Sequence, residues 1–563
     1  MLTFLRINRN IRSLKRYRDI LGILIKYGFG HFVEQLNINY YLELGRRIVT
    51  LGTAPRDIER LSQPERLRLA IEELGPTFIK LGQLLSTRPD IIPREYIEEF
   101  RKLQDKIPAV SFAEISQQFE REFGQPISEV FAEIDETPLA AASIAQVHKA
   151  LLAEGEEVVI KVRRPGIERV VETDIDILTG LAILIERHIP SMEHYSPVQL
   201  VKEFRRTIHR EMDFTREGHT TDRFAANFAD DLGIRIPTVY WEWSGERALT
   251  MAYLHGTKVS DLEALREKDL DLKDIARRGA DFFLRQVLEY GLFHGDPHPG
   301  NFFIHDDGSI CLLDFGMVGR LDDEIKNQLV ELLLGVLERD VDRIISQLLY
   351  SGELSDESNM RALRRDLGEF LADYYELPLQ EIRVGSLLSD FVEILNTYRI
   401  RFPADLMLLA KALVTIEGIG RQLDPDFNMF GSLRPFMERL IRQRMSPPNM
   451  AKQLGLMANA YGNLARSLPR DLKEFLNRLN RNKIKIDLEH RGLERLIADL
   501  DKSSNRISFS LIISALVVGS SLIMQTDKGP QLFGFPALGI LGYSFAAFLG
   551  LWLAIAILRS GRL

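Results

Sequence analysis

The run His294-Gly295-Asp296-Pro297-His298-Pro299-Gly300-Asn301, followed by two short apolar stretches and then Leu313-Asp314-Phe315-Gly316, constrains this chain more than any other feature. Two prolines and two glycines within eight residues rule out regular structure, so the run must be a loop. Phe302, Phe303, Ile304 and then Ile310 to Leu313 flank the turn Asp306-Asp307-Gly308, which predicts a hairpin delivering Asp314 to a second loop.

A carboxylate and an amide five positions apart, with a second carboxylate thirteen residues beyond, form a set suited to phosphoryl transfer. Asp296 can hold an acceptor hydroxyl or water, as a base or as an orienting carboxylate. Asn301 can offer an amide oxygen to Mg²⁺, and Asp314 a harder anionic ligand. The same residues also admit a plainer reading, as Asp-Pro, Pro-Gly and Asp-Phe-Gly turns between strands. Their occurrence together and in this order favours chemistry. His294 is expected to orient the loop backbone. A His294/His298 metal pair is disfavoured, because Pro297 removes helical spacing.

At 563 residues the chain exceeds one ordinary core, so two or three domains are expected. A net charge of -8 argues against a nucleic-acid partner. The single cysteine, Cys311, falls in the apolar run before Asp314, which excludes disulfides and cysteine-ligated metals.

Two uncharged stretches, Ile507 to Thr526 and Leu532 to Leu558, are each long enough to cross a bilayer as helices. Their serines, alanines and glycines suit close helix pairing in lipid, and the alternative is a buried soluble hairpin. Lys502 and Arg506 before the first stretch, with Arg559 and Arg562 after the second, put both ends on the cytoplasmic side or its organellar equivalent. The N-terminus is basic and free of acids up to Arg18, and it lacks a secretory signal's apolar core. Its pattern predicts amphipathic helices resting on an anionic membrane surface, with an organellar transit peptide as the alternative.

Along the chain, helical patterns cover Pro64 to Leu103, Phe112 to Phe131, Ile167 to Ile189 and Pro197 to Phe228. Strands are expected at Ser143 to Leu152, Glu157 to Arg163, Ile234 to Trp241 and Arg247 to Leu254, and helix dominates from Asp322 to Leu500. A small sheet followed by mostly helix fits an α+β, two-lobed protein-kinase-like domain with a helical N-terminal extension and a C-terminal transmembrane helix hairpin.

Lys161 closes the strand Val158-Val159-Ile160-Lys161 and is placed to hold phosphate oxygens if a carboxylate orients it. Glu217 is the first candidate for that carboxylate. It lies in Glu211-Met212-Asp213-Phe214-Thr215-Arg216-Glu217, where Asp213 and Glu217 would be helical neighbours and a solvated charged face is the plainer alternative. The phosphate cradle should lie at Ala140-Ala141-Ala142-Ser143, through backbone N–H groups and the serine hydroxyl, on a stiffer loop than a glycine-rich one. Lys80 and Gln83 share a helix face, and Gly82 permits close approach.

These motifs together resemble the UbiB/AarF family of atypical protein-kinase-like proteins: Lys80-x-Gly82-Gln83, the alanine-rich loop, Val-Ile-Lys161, Glu211-x-Asp213, His-Gly-Asp-Pro-His-Pro-Gly-Asn301 and Asp314-Phe-Gly. The resemblance extends from about Pro64 to Asn428 and includes Glu417-Gly418 and Leu423-Asp424-Pro425. It implies ATP or ADP with Mg²⁺ as cofactors, Lys161 paired with Glu217, and support of isoprenoid quinone (ubiquinone-type) biosynthesis at a membrane. It also implies that Lys80, Gly82 and Gln83 belong to an extension folded over the site, near Glu211 and Asp213, where it excludes protein substrates.

The expected organisation is basic amphipathic helices over 1–60, the extension over 61–132, an N-lobe over 133–258, a C-lobe over 259–430, a helical linker over 431–505 and two transmembrane helices over 506–558. Expected partners are membrane lipids, isoprenoid quinone precursors and quinone-biosynthesis enzymes. The function expected is that of a membrane-anchored atypical kinase or ATPase. The rivals are a nucleotide-gated lipid-binding chaperone that needs no catalysis and a small-molecule phosphotransferase.

Overall fold

The computed structural model describes residues 15–35, 60–86, 88, 92–103, 108–189, 196–350, 357–375, 383–398, 400, 403–433, 436, 439, 493–525, 530–532 and 535–559. The chain divides into two units, Met1–Ser446 and Pro447–Leu563. The expected linker over 431–505 and the N-terminal segment over 1–60 fall largely outside the described residues.

In the first unit, residues 15–26 are helical and a short helix spans Gly30–Gln35. Ile20 and Leu21, two of the apolar residues expected to rest on a membrane surface, are buried against protein, as is Val33, while the expected apolar residues before Lys15 lie outside the described residues. Arg16 fixes this segment through Asp174, at 2.7 and 3.0 Å, and through the Leu74 carbonyl at 2.7 Å. Three helices follow: α1 (Gln63–Leu74), α2 (Pro76–Leu85) and α3 (Arg94–Phe100). Gly82 admits the Leu103 side chain, since a Cβ there would lie 2.4 Å from Leu103 Cδ1.

The pattern read as one helix from Phe112 to Phe131 is helical only over α4 (Phe112–Phe123) and a single turn at Ile127–Val130. Gly124 ends α4 in a left-handed conformation, and Pro126 follows it. Strand β1 (Phe131–Ile134) then opens an antiparallel sheet with β2 (Ala140–Ala141), β3 (Ala145–Leu152) and β4 (Glu157–Arg163). In β4, Val158, Ile160 and Val162 turn to a core shared with Ile115 and Phe119 of α4. Strand alternation therefore puts Val159 and Lys161 on the opposite face.

Beyond β4 come α5 (Ile167–His188), α6 (Pro197–Met212) and α7 (Phe214–Asn227). The single helix expected from Pro197 to Phe228 is thus broken at Asp213, which is extended at φ -99 and ψ 93. Arg163 Nη1 donates to the last α6 carbonyl, Met212 O, at 2.8 Å, and Phe214 N bonds Glu246 O at 3.2 Å, so both sides of the break are held. The strand expected from Ile234 to Trp241 shrinks to β5 (Ile234–Arg235), because Pro237 removes a donor and Trp241–Trp243 closes into a 3-10 turn. Strand β6 (Ala248–Ala252) completes the first sheet beside β4.

In the second lobe, β7 (Thr257–Lys258) and helix α8 (Leu272–Arg285) precede β8 (Leu292–His294), β9 (Phe302–Ile304), β10 (Ile310–Leu312) and β11 (Val318–Arg320). The expected hairpin is present as β9 paired with β10, and β8 pairs with β11. Helices α9 (Asp323–Glu338), α10 (Val341–Tyr350), α11 (Glu357–Tyr375), α12 (Val384–Thr397) and α13 (Ala404–Leu423) follow. Phe282, Phe283, Phe293 and Phe315 fill the core of this lobe, which α13 joins through Leu409, Ala412 and Ile416.

The second unit contains α14 (Leu493–Met524) and α15 (Ala537–Arg559), two helices long and apolar enough to cross a membrane. A Cβ on Gly542 would lie 2.1 Å from Ser520 Oγ, and one on Gly539 would lie 2.8 Å from Met524. Small residues therefore let the two helices touch, while Leu511, Ile512, Leu541, Phe548 and Leu551 stay exposed.

Candidate active site

Lys161 reaches the site from β4, and its Nζ donates to both carboxylate oxygens of Glu217, at 2.7 and 2.9 Å. Glu217 stands in the first turn of α7, where Gly218 brings the helix close: a Cβ there would lie 2.8 Å from Trp241. Asp314 Oδ1 is 3.9 Å from the same ammonium. Burial would favour a neutral Lys161 amine, but Asp314 and Glu217 outweigh it and hold the lysine above its ordinary value. Burial pushes the Glu217 carboxyl up; Lys161 opposes this, while nearby Asp314 adds to it.

The loop between β8 and β9 holds Asp296 and Asn301 through its own backbone. Its turns are closed by His298 N to Asp296 O at 2.8 Å and Asn301 N to His298 O at 2.9 Å. Asn301 Nδ2 donates to Asp296 O at 3.3 Å, which turns the amide oxygen away from that contact. Gly295 lets Leu408 of α13 pack directly on the loop, since a Cβ there would lie 2.7 Å from Leu408 Cδ2.

His294 ties this loop to Asp314. Its Nδ1 accepts from the Asp296 N–H at 3.1 Å and its Nε2 hydrogen-bonds the Asp314 carbonyl, so the proton sits on Nε2. Burial holds its pKa below the ordinary value, and the neutral ring fits that pair of bonds. His294 thus orients the loop backbone, as its sequence position suggests. Phe315 packs beneath, 4.9 Å from Phe224 of α7, linking the Asp314 loop to the helix that carries Glu217.

The Asp314 carboxyl is held down to about 2: burial alone would raise it, but Lys161, the Gly316 amide, His294 and Lys80 together overcome that. Its Oδ1 accepts from Gly316 N at 2.8 Å. Among the described residues, Asp314 Oδ2 and Asn301 Oδ1 have no hydrogen-bond partner. These two hard oxygen atoms, one of them on a firmly ionised group, fit a divalent cation such as Mg²⁺. No cluster of three His, Cys, Asp or Glu side chains suited to a metal exists among the described residues. A cation here would need phosphate oxygens and water to complete its shell.

The extension reaches the same place. Lys80 of α2 forms an ion pair with Glu211 near the end of α6, and both charges are close enough to influence the Lys161 and Asp314 group. Asp213 sits at the break between α6 and α7, with Arg216 at 3.3 Å, and is not a helical neighbour of Glu217 as the single-helix reading required. Gln83 lies in α2, one turn beyond Lys80.

The alanine-rich segment departs from expectation in one respect. Ala140 and Ala141 form β2 against β3, and the Ala142 N–H bonds Ala145 O at 2.9 Å. Ser143, expected to lend its hydroxyl to phosphate, is fully buried and has no solvent-facing surface. A further contact had no local sequence signal: Lys411 of α13 places its Nζ 3.0 Å from Asp296 Oδ1.

Residues 102–348 match the ABC1 atypical kinase-like domain, 367–428 the UbiB helical domain and 491–559 the ABC1/UbiB kinase-like C-terminal domain. An uncharacterised protein of Synechocystis sp. is 36% identical over 472 residues, 83% of this chain and 81% of that one. A Clostridium pasteurianum protein described only by its position in the hydrogenase 1 5' region is 32% identical over 98% of this chain and its own entire length. A probable protein kinase UbiB of Pseudomonas fluorescens is 34% identical over 83% of this chain and 88% of its own.

Proposed function

The chain belongs to the ABC1/UbiB family of atypical kinase-like proteins, and from that premise we propose that it is a membrane-anchored kinase or ATPase that binds Mg²⁺ with ATP or ADP and supports isoprenoid quinone biosynthesis. The observation that carries the nucleotide reading is the convergence of Lys161, Glu217 and Asp314 from β4, α7 and the loop after β10.

In this reading Lys161, aimed by Glu217, grips phosphate oxygens, and backbone around Ala140, Ala141 and Ala142 covers them. Asn301 and Asp314 hold the cation, which when bound would neutralise phosphate charge. Asp296 orients the acceptor hydroxyl or water and takes its proton as the acceptor oxygen bonds to the γ-phosphorus and the bond from that phosphorus to the departing ADP oxygen breaks. His294 keeps the Asp296 and Asp314 loops in register. Lys80, Gly82 and Gln83, with Glu211 and Asp213, form a cover that favours water or a small acceptor over a protein chain. The helix pair α14 and α15 holds the protein at the bilayer, with both ends on the cytoplasmic or equivalent side, where quinone precursors and their enzymes are the expected partners.

The test compares Mg-ATP hydrolysis by the wild type and Asp296→Asn at equal nucleotide occupancy, together with quinone profiles of cells carrying each. Loss of turnover with retained nucleotide binding, and accumulation of a quinone precursor, is the expected result. Normal quinone with the inactive variant would mean that chemistry is dispensable and would favour nucleotide-gated lipid binding.

A further inference from the structure

Helix α13 is seated on the loop that carries Asp296. Leu408 fills the space that a side chain at residue 295 would occupy, and Lys411, one turn later on the same face, puts its ammonium 3.0 Å from Asp296 Oδ1. Between Asp296 and Asn301 the loop reads Pro297, His298, Pro299, Gly300, with no permanently charged cation of its own. Lys411 is also the only charged residue from Leu406 to Ile416, a stretch whose Leu406, Leu409, Ala412 and Ile416 are buried in the apolar core. It lies in the region matching the UbiB helical domain, outside the kinase-like match.

We propose that Lys411 is a positioning residue for phosphoryl transfer, supplied by the helical domain, which fixes the Asp296 carboxylate in the orientation that receives the acceptor. Asp296 has free rotation about its side-chain bonds unless something holds Oδ1. The groups around it are Lys411, the His294 and His298 rings and the Asn301 amide, and only Lys411 makes a direct contact with its carboxylate among the described residues. The pair is partly exposed, with 23% and 36% of the two side chains accessible, so it adds little to stability. A lysine placed there for folding alone would therefore be dispensable, whereas one that aims a reacting carboxylate would not. The inference rests on the role given to Asp296 above.

The experiment uses the full chain in a membrane mimic, with Lys411→Met, Lys411→Arg, Asp296→Asn and the double variant Lys411→Met/Asp296→Asn. Calorimetric titration with Mg-ADP reads affinity, single-turnover Mg-ATP hydrolysis reads the chemical step, and thermal melting reads integrity. Lys411→Met should slow hydrolysis about tenfold to a hundredfold with the Mg-ADP Kd changed by less than about twofold. Lys411→Arg should recover most of the rate, and Lys411→Met should cost nothing further in the Asp296→Asn background. An equal loss in that background, a parallel loss of affinity and rate, or no loss at all would overturn the proposal.

A wild type that takes up no Mg-ADP would instead sink the nucleotide reading. The pair is then still read by carbodiimide cross-linking, which joins an amine and a carboxylate in contact. A Lys411–Asp296 cross-linked peptide is expected by mass spectrometry, and its absence from the folded wild type would overturn the positioning role.

Discussion

Lys161 and Glu217, 56 residues apart in sequence, meet in a two-point ion pair of 2.7 and 2.9 Å between a sheet strand and the first turn of a helix. Glu217 is only 5% exposed, so it cannot trade Lys161 for water. The pair fixes the distance between β4 and α7 and presents the ammonium toward Asp314.

Glu217→Gln should therefore loosen the aim of Lys161 more than it disturbs the fold. A charge-assisted hydrogen bond of about 2 kcal/mol is at stake, or about a 30-fold rise in the Mg-ADP Kd by calorimetry. An unchanged Kd would remove Lys161 from the phosphate site.

Each motif of the candidate site was legible in the sequence because the motif itself is local. Strand β4 falls on Glu157 to Arg163 as the alternation of Val158, Ile160 and Val162 predicts, and the prolines and glycines of the 294–301 run leave only a loop. The break at Asp213 was hidden, since no proline or glycine marks it; tertiary bonds from Arg163 and Glu246 impose it. Gly124 and Pro126, by contrast, were visible signals for ending α4, and the apolar periodicity ran over them. Lys411 was invisible because its partner is brought near only when α13 packs on the second lobe.

Cys311 is fully buried in β10 and burial pushes its thiol up to about 11. The thiolate is the reactive form, so the raised value slows reaction throughout the neutral range. Alkylation at pH 8 should be negligible in the folded protein and stoichiometric in denaturant, as intact mass will show.

Arg16 holds Asp174, whose side chain has no exposed surface. Arg16→Met should leave that carboxylate buried and unpaired, at a cost of about 3 kcal/mol. Hydrogen exchange should rise first in residues 15–26, and urea unfolding will give the magnitude.

Gly82→Ala forces a methyl group to 2.4 Å from Leu103 Cδ1. Overpacking of this kind costs roughly 1–3 kcal/mol. It should push α2 outward and weaken the Lys80–Glu211 pair, which will appear as faster exchange across residues 76–85 while the second lobe stays unchanged.

The central claim is that Lys161, Asn301 and Asp314 gather around one Mg²⁺-bound nucleotide, and calorimetric titration of the full chain with ADP in the presence and absence of Mg²⁺ tests it most directly. The account predicts a single Mg²⁺-dependent site that Lys161→Met and Asp314→Asn each weaken severely while the protein stays folded. No uptake of Mg-ADP by the wild type, or uptake indifferent to both substitutions, would contradict it.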